Sequence, residues 1–177
     1  MNNHKYTKET LLKLMDNKKV PYILHNHRAL FTVQDSEKHR GEIDGMHSKN
    51  LFLKNKKKEF FLFSCYENQK IDLKKISKSL KIGNISFASE EKLIEIMGIY
   101  PGSVSPFALL NDKNNNVVFF LDKKIFETEN INFHPLINTS TVTLKVRSLI
   151  KLLIEKNKNV NIFDFDKYSL IDTIKNE

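Results

Sequence analysis

The stretch Ser48–Cys65, SKNLFLKNKKKEFFLFSC, decides the fold. Its flanks, Ser48–Leu53 and Glu59–Cys65, are rich in Leu and Phe, and the run KNKKK between them is polar. Apolar, aromatic runs broken by a short polar turn predict two buried strands joined as a hairpin. A sheet therefore stands at the centre of the fold.

Outward from this hairpin the elements alternate irregularly. Towards the N-terminus, Thr7 to Lys18 predicts a helix with Leu11, Leu12, Leu14 and Met15 as its apolar face and Pro21 as its stop. Tyr22–Leu24 predicts a short strand leading into His25 and His27. Thr32 is placed to cap a second helix running to about Lys38, with Asp35 reaching back to the cap amide, and Gly41 and Gly45 punctuate the loop after it. Towards the C-terminus, Asp72–Leu80 and Ser89–Met97 predict helices, the second ended by Gly98. Phe107–Leu110 and Val117–Leu121 predict two strands around the turn NDKNNN. Ile131–Phe133 and Thr139–Leu144 predict two more, and Val146–Glu155 a last helix. This order excludes a strict βαβ array. It predicts an α/β (α+β) fold, a single domain around one mixed sheet, spanning residues 1–156. Residues 157–177 are expected to form a C-terminal tail, docked or partly flexible, because apolar residues are scattered along it.

The chain has 177 residues, 29 basic and 21 acidic, for a formal charge of +8. Hydrophobic residues make up 40% of it and mean hydropathy is −0.41, enough for a core and too much for a disordered basic tail. No run approaches the roughly 18 apolar residues of a membrane span. The start, MNNHKYTKETLL, lacks the apolar run of a signal peptide. A single cysteine, Cys65, excludes an internal disulfide. A soluble, cytoplasmic domain is expected. Of the basic residues 26 are Lys and three are Arg, with 19 Asn beside them. That balance is read either as nucleotide bias in the encoding genome or as a positive field that draws an anionic partner.

The familiar phosphate loops, dinucleotide fingerprint and HExxH sequence are absent. His25 and His27 alternate, so both rings face one side of a strand, but the sequence dictates no third ligand and no metal is expected. Cys65 ends an aromatic strand and reads as a buried, inert thiol. Three segments stand out. Lys49-Asn50 opens the apolar run LFL, where a lysine either contacts a phosphate or ester carbonyl or marks the solvent edge. Gly98–Pro106 holds two prolines and two glycines, making a stiff loop that presents main-chain groups at a fixed distance or serves as a crossover. Phe133–Thr141, FHPLINTST, sets His134 before a proline that restricts its backbone, with Asn138, Thr139 and Thr141 following, either as one pocket wall or as local turn caps.

Taken together, Lys49–Leu53 (KNLFL), Ser86–Ser89 (SFAS), Pro101–Phe107 (PGSVSPF) and Phe133–Thr139 (FHPLINT) resemble the YbaK/aminoacyl-tRNA synthetase-associated family, from about Thr7 to Leu153. Within it they are most similar to the free-standing prolyl-tRNA synthetase-associated deacylases that remove alanine from mischarged proline tRNA. The resemblance implies a largely antiparallel mixed sheet with surrounding helices. It implies a trans-acting esterase without cofactor or metal, since 177 residues leave no room for synthetase catalytic and anticodon-binding regions. It assigns Lys49, Asn50 and His134 to catalysis. Gly102, Ser103, Val104, Pro106, Leu136, Asn138 and Thr139 are assigned to the aminoacyl pocket, with Phe107 and Ile137 as pocket or underlying core. Lys49, Lys54, Lys56 and Lys57 are expected to meet tRNA. The implied partner is the acceptor end of tRNA(Pro), with transient contact to prolyl-tRNA synthetase or an elongation factor, no membrane, and a monomeric enzyme. Two other readings stand beside this one: a deacylase for cysteinyl-, seryl- or another misacylated tRNA, and a noncatalytic tRNA-binding or regulatory module.

Overall fold

The computed structural model describes residues 6–29 and 43–176; the helix expected at Thr32–Lys38, and Gly41, lie outside the described residues. Along the chain run α1 (Lys8–Asn17), β1 (Tyr22–Asn26), β2 (Met46–Asn55), β3 (Phe60–Tyr66), α2 (Leu73–Leu80), β4 (Ile85–Phe87) and α3 (Glu90–Met97). A 3-10 segment (Pro106–Asn111), β5 (Val117–Asp122), α4 (Lys123–Phe126), β6 (Asn130–Phe133), β7 (Ser140–Lys145), α5 (Val146–Ile154), β8 (Val160–Asp164) and β9 (Ser169–Ile174) complete it. No helix among the described residues is long and apolar enough to cross a membrane.

The helices start where side chains satisfy their free amides. The Thr7 and Thr10 hydroxyls and main chains cap each other at α1, Asp72 accepts from the Lys74 and Lys75 amides at α2, and Ser89 accepts from Lys92 at α3. Among the described residues nine strands form one sheet in the order β1-β7-β6-β2-β3-β5-β8-β9, with β4 paired to β2 off this path. β2–β6, β3–β5 and β5–β8 are parallel and the other pairings antiparallel, so the sheet is mixed and mostly antiparallel.

β3 explains why EFFLFSC shows no polar alternation. Phe60 and Leu62 point into a large core with α1, α3, α5 and the 3-10 segment, while Phe61, Phe63 and Cys65 point into a smaller one. A strand covered on both faces reads as a continuous apolar run. In the smaller core Phe63 stacks on Phe120 at 4.7 Å and meets Phe163 and Phe165 edge-on. Those last two come from β8 and the turn after it, so residues 160–174 supply two strands of the sheet and part of this core.

One predicted element changes type. Phe107–Leu110 is not a strand but lies within the 3-10 segment. Pro106 fixes its first φ, and the amides of Ala108 and Asp112 return to the carbonyls of Ser105 and Leu109. All six residues of the segment are buried, so its apolar run carries no periodicity. Asn111 then ties the segment to the chain's start. Its side chain accepts from the Tyr6 amide at 2.9 Å and donates to the carbonyls of Tyr6 at 3.0 Å and Met97 at 3.2 Å.

Candidate active site

β2 is paired along only one edge in its middle. On the edge away from β3, it pairs with β6 at Met46 and His47 and with β4 from Leu53 to Asn55. Between those pairings, Lys49, Asn50 and Leu51 have no strand partner on this edge among the described residues. The ladder opens here because β6 ends at Phe133, and the chain turns away through His134 and Pro135. The opening falls at Lys49 and Asn50, two of the residues that the sequence singled out.

Lys49 and Asn50 are successive, so they face opposite sides of the sheet. The Lys49 ammonium donates to the Gln69 carbonyl at 2.5 Å, in the turn after β3. Asn50 faces the larger core, and its Oδ1 accepts from the Ser64 hydroxyl at 2.5 Å across the β2–β3 ladder. Lysine carries three donors, so two remain for a ligand, and the Asn50 amide nitrogen is likewise a donor. His134 and Lys49 each stand two residues beyond the registered pair Asn132–His47. The His134 Nδ1 lies 2.7 Å from the Ser140 carbonyl, which takes the ring's N–H. In the neutral ring this leaves Nε2 as an acceptor. Burial pushes the His134 pKa down, outweighing the Ser140 hydrogen bond, and the nearby His27 pushes the same way.

The other two segments meet through aromatic packing. Phe107, at the end of the Gly/Pro loop, packs edge-on against Phe133 at 6.3 Å. Within the loop Gly102 has φ +86°, which a side chain would strain. The Ser103 hydroxyl donates to the Tyr100 carbonyl at 2.6 Å. Ser105 is fully buried with its hydroxyl unpartnered among the described residues. Val104 packs against the larger core, to which Pro106's neighbour Phe107 and also Leu136 belong. Leu136 adopts φ +67°, closing a tight turn in which its amide donates to the His134 carbonyl at 2.9 Å. Left-handed backbone at a bulky residue marks a strained position. Asn138 is half-buried and Thr139 exposed at the turn before β7.

The remaining expected residues fall elsewhere. Lys54, Lys56 and Lys57 sit at the far end of the β2–β3 hairpin. Lys54 is about 17 Å along the strand from Lys49, at 3.3 Å per residue. The structure does not bring these lysines together with it. That turn is built by Asn55, whose side chain accepts from the Lys57 and Glu59 amides and donates to the Ile82 carbonyl. His25 and His27 each face a threonine of β7, Thr143 at 3.1 Å and Thr141 at 2.9 Å, and the His27 ring lies 6.0 Å from that of His134. Cys65 is buried, and desolvation pushes its thiol up to about 12, which rules it out as a nucleophile.

Sequence reasoning missed Ser64, Gln69 and Ser140, which hold the side chains of Asn50, Lys49 and His134. Only Ser64 carried a signal, as the polar residue interrupting the apolar run of β3.

Comparison with known proteins places this arrangement. The chain is 33% identical over 147 residues to the prolyl-tRNA editing protein ProX of Acetoanaerobium sticklandii, covering 82% of this chain and 90% of that one. It is 30% identical over 164 residues to prolyl-tRNA synthetase associated domain-containing protein 1 of Xenopus laevis, covering 90% and 97%, and 34% identical over 146 residues to the Bos taurus protein of the same name, covering 80% and 85%. A crystal structure described as a candidate trans-editing enzyme for prolyl-tRNA synthetase shares the fold, with TM-score 0.62 and 17% identity over 93% of this chain and 94% of that one. The aminoacyl-tRNA editing domain matches residues 27–152, from just after β1 into α5 and across the unpaired stretch of β2. The chain belongs to the aminoacyl-tRNA editing domain family.

Proposed function

We propose that the chain is a trans-acting deacylase that hydrolyses the ester of mischarged tRNA(Pro), with alanine as the amino acid removed. The observation that supports this reading is the opening of the β2 ladder at Lys49 and Asn50, next to the end of β6 that leads into His134, in a chain of the editing family. The relatives named for prolyl-tRNA editing or association with its synthetase match over most of their own length, which supports action as a separate protein.

The reaction is addition of water to the ester carbonyl carbon, collapse of the tetrahedral intermediate and departure of the terminal ribose oxygen, which takes up a proton. An aminoacyl ester is already activated, so placing water and stabilising the developing oxyanion suffice. In this reading Lys49 uses its two spare donors on the terminal phosphate or the ester oxygen. Asn50, oriented by Ser64, supplies a neutral donor. The free Nε2 of His134 accepts from a ribose hydroxyl or the α-amino group. Main-chain groups around Gly102 place the aminoacyl moiety, and Val104 and Leu136 limit its size. A cramped pocket excludes proline and admits alanine, whereas discrimination among small side chains by binding alone is weak. The net charge of +8 draws the acceptor stem to the protein. The enzyme is proposed to act as a monomer in the cytoplasm, on the acceptor end of free tRNA(Pro) or of tRNA handed over by the synthetase or an elongation factor.

The test is deacylation of alanyl-, seryl-, cysteinyl- and prolyl-tRNA(Pro) by the wild type and Lys49→Ala. Rapid loss of alanine, retention of proline and failure of the variant are expected. Preferential release of serine or cysteine overturns the substrate assignment. Binding without cleavage of any ester overturns the enzyme assignment in favour of a binding module.

A further inference from the structure

Lys49 is seated on a main-chain carbonyl, and the residue that owns that carbonyl is itself clamped. Gln69 is buried at 7% exposure. Its amide donates to the Tyr66 carbonyl at 2.9 Å, closing the turn after β3. The side chain is hydrogen-bonded at both ends. Oε1 accepts from the Lys124 ammonium at 2.7 Å, and Nε2 donates to Asp166 Oδ1 at 3.1 Å and to the Lys70 carbonyl at 3.3 Å. Lys124 and Asp166 also pair with each other at 2.8 Å, closing a triangle of three side chains.

Each corner is fixed by a different part of the chain. Lys124 is the second residue of α4, whose cap is buried Asp122, which accepts from the amides of Lys124 and Tyr66. Asp166 lies in the β8–β9 turn, held because Asp164 accepts from the amides of residues 166 and 167. The hydrogen bond from Lys124, then that from Gln69, holds the Asp166 carboxyl below its ordinary value, and the Asp166 bond raises the Lys124 ammonium. Surface ion pairs are usually worth little, but this one encloses a buried amide whose carbonyl carries the site's lysine.

We propose that Gln69 is a positioning residue for Lys49, and that the Lys124–Asp166 pair locks Gln69 in place. The β8–β9 hairpin thereby belongs to the working site although it lies outside the matched editing domain. This rests on the reading of Lys49 as the group that meets the substrate. An ammonium held on one acceptor keeps its other two donors aimed, and losing that constraint lowers transition-state stabilisation more than ground-state binding.

The experiment compares wild type, Asp166→Ala, Lys124→Met and the double variant, with Lys145→Met as control because it breaks the exposed Lys145–Glu129 pair elsewhere. Steady-state deacylation kinetics, melting temperature and the NMR order of the Lys49 Cε–H₂ group are read on the full chain. Asp166→Ala and Lys124→Met are each expected to lower kcat about fivefold with KM within about twofold, to loosen the Lys49 signal, and to combine without adding. The control changes neither readout. An unchanged kcat and Lys49 signal in Asp166→Ala overturns the proposal. So does a loss of kcat that follows melting temperature while the Lys49 signal stays fixed, which marks a merely structural role. If the wild type cleaves no ester the functional reading falls, and the Lys49 signal alone still decides whether the triangle seats it.

Discussion

Replacing Ser64 by Ala removes one hydroxyl and tests whether Asn50 works as an oriented donor. Ser64 is fully buried on β3, and its hydroxyl is the group that fixes Asn50 Oδ1, at 2.5 Å. Alanine fits the same space on the same strand, so the change deletes a hydrogen bond without opening a large cavity. Asn50 is half-buried, so water reaches its orphaned oxygen in part, and the net loss is about 1 kcal/mol. On stability that corresponds to roughly 2–4 °C in melting temperature for a domain of this size. On catalysis the same 1 kcal/mol, if spent on aiming Asn50, is about fivefold in rate. The assay is steady-state release of alanine from alanyl-tRNA(Pro), with the melting temperature measured on the same preparation. A drop of about fivefold in rate with KM little changed is the expected result. Ser64→Ala running at the wild-type rate while Asn50→Ala is inactive would refute the reasoning, since Asn50 would then need no orienting partner.

Asn111→Ala leaves the Tyr6 amide and two carbonyls without their buried partner and is expected to cost about 2–4 kcal/mol, read as a shift in urea midpoint; a cost near zero means the N-terminal segment is not anchored there. Burial lowers the folded-state pKa of His134, so the unfolded chain binds that proton more readily. The stability it preserves is therefore full above about pH 6.5 and lost as pH falls towards the folded value. His134→Gln should flatten that limb of a stability–pH curve, and an unchanged slope would count against the partly buried, neutral ring. Cys65, with its thiol pushed up to about 12, should resist a thiol-specific disulfide reagent in the native protein and react only on unfolding; fast native labelling would contradict its burial. Gly102→Ala imposes φ +86° on a residue with a side chain, a strain of about 1–2 kcal/mol, and is expected to slow deacylation more than it lowers melting temperature.

Local chemistry made part of this molecule readable from its residues. Thr7, Asp72 and Ser89 announce their helices because a capping side chain acts on amides two or three residues away. The β2–β3 hairpin is legible from its aromatic runs, and the resemblance supplied Lys49, Asn50 and His134 together. Phe107–Leu110 misled because a short run buried all round has no period to read. β8 and β9 read in the sequence only as a tail with apolar residues, since polar Asn161, Asp164 and Asp172 interrupt the pattern and the pairing of β8 with β5 spans about forty residues of chain. The supports of the site were hidden for another reason, since little in their local pattern marks them. Gln69, Ser64 and Ser140 are ordinary residues until the sheet brings them against Lys49, Asn50 and His134.

The parallel pairing of β8 with β5 also sets a schedule for biosynthesis. Phe163 and Phe165 complete the smaller core, so a nascent chain cannot close it before they have left the ribosome. Domains fold as units once their long-range contacts become available. Asp166 follows immediately, and Lys49, made more than a hundred residues earlier, waits for it before its seat is clamped. On this proposal a growing chain carries Lys49 for more than a hundred residues before its seat is complete. Competence arrives with the last strands rather than with the motif.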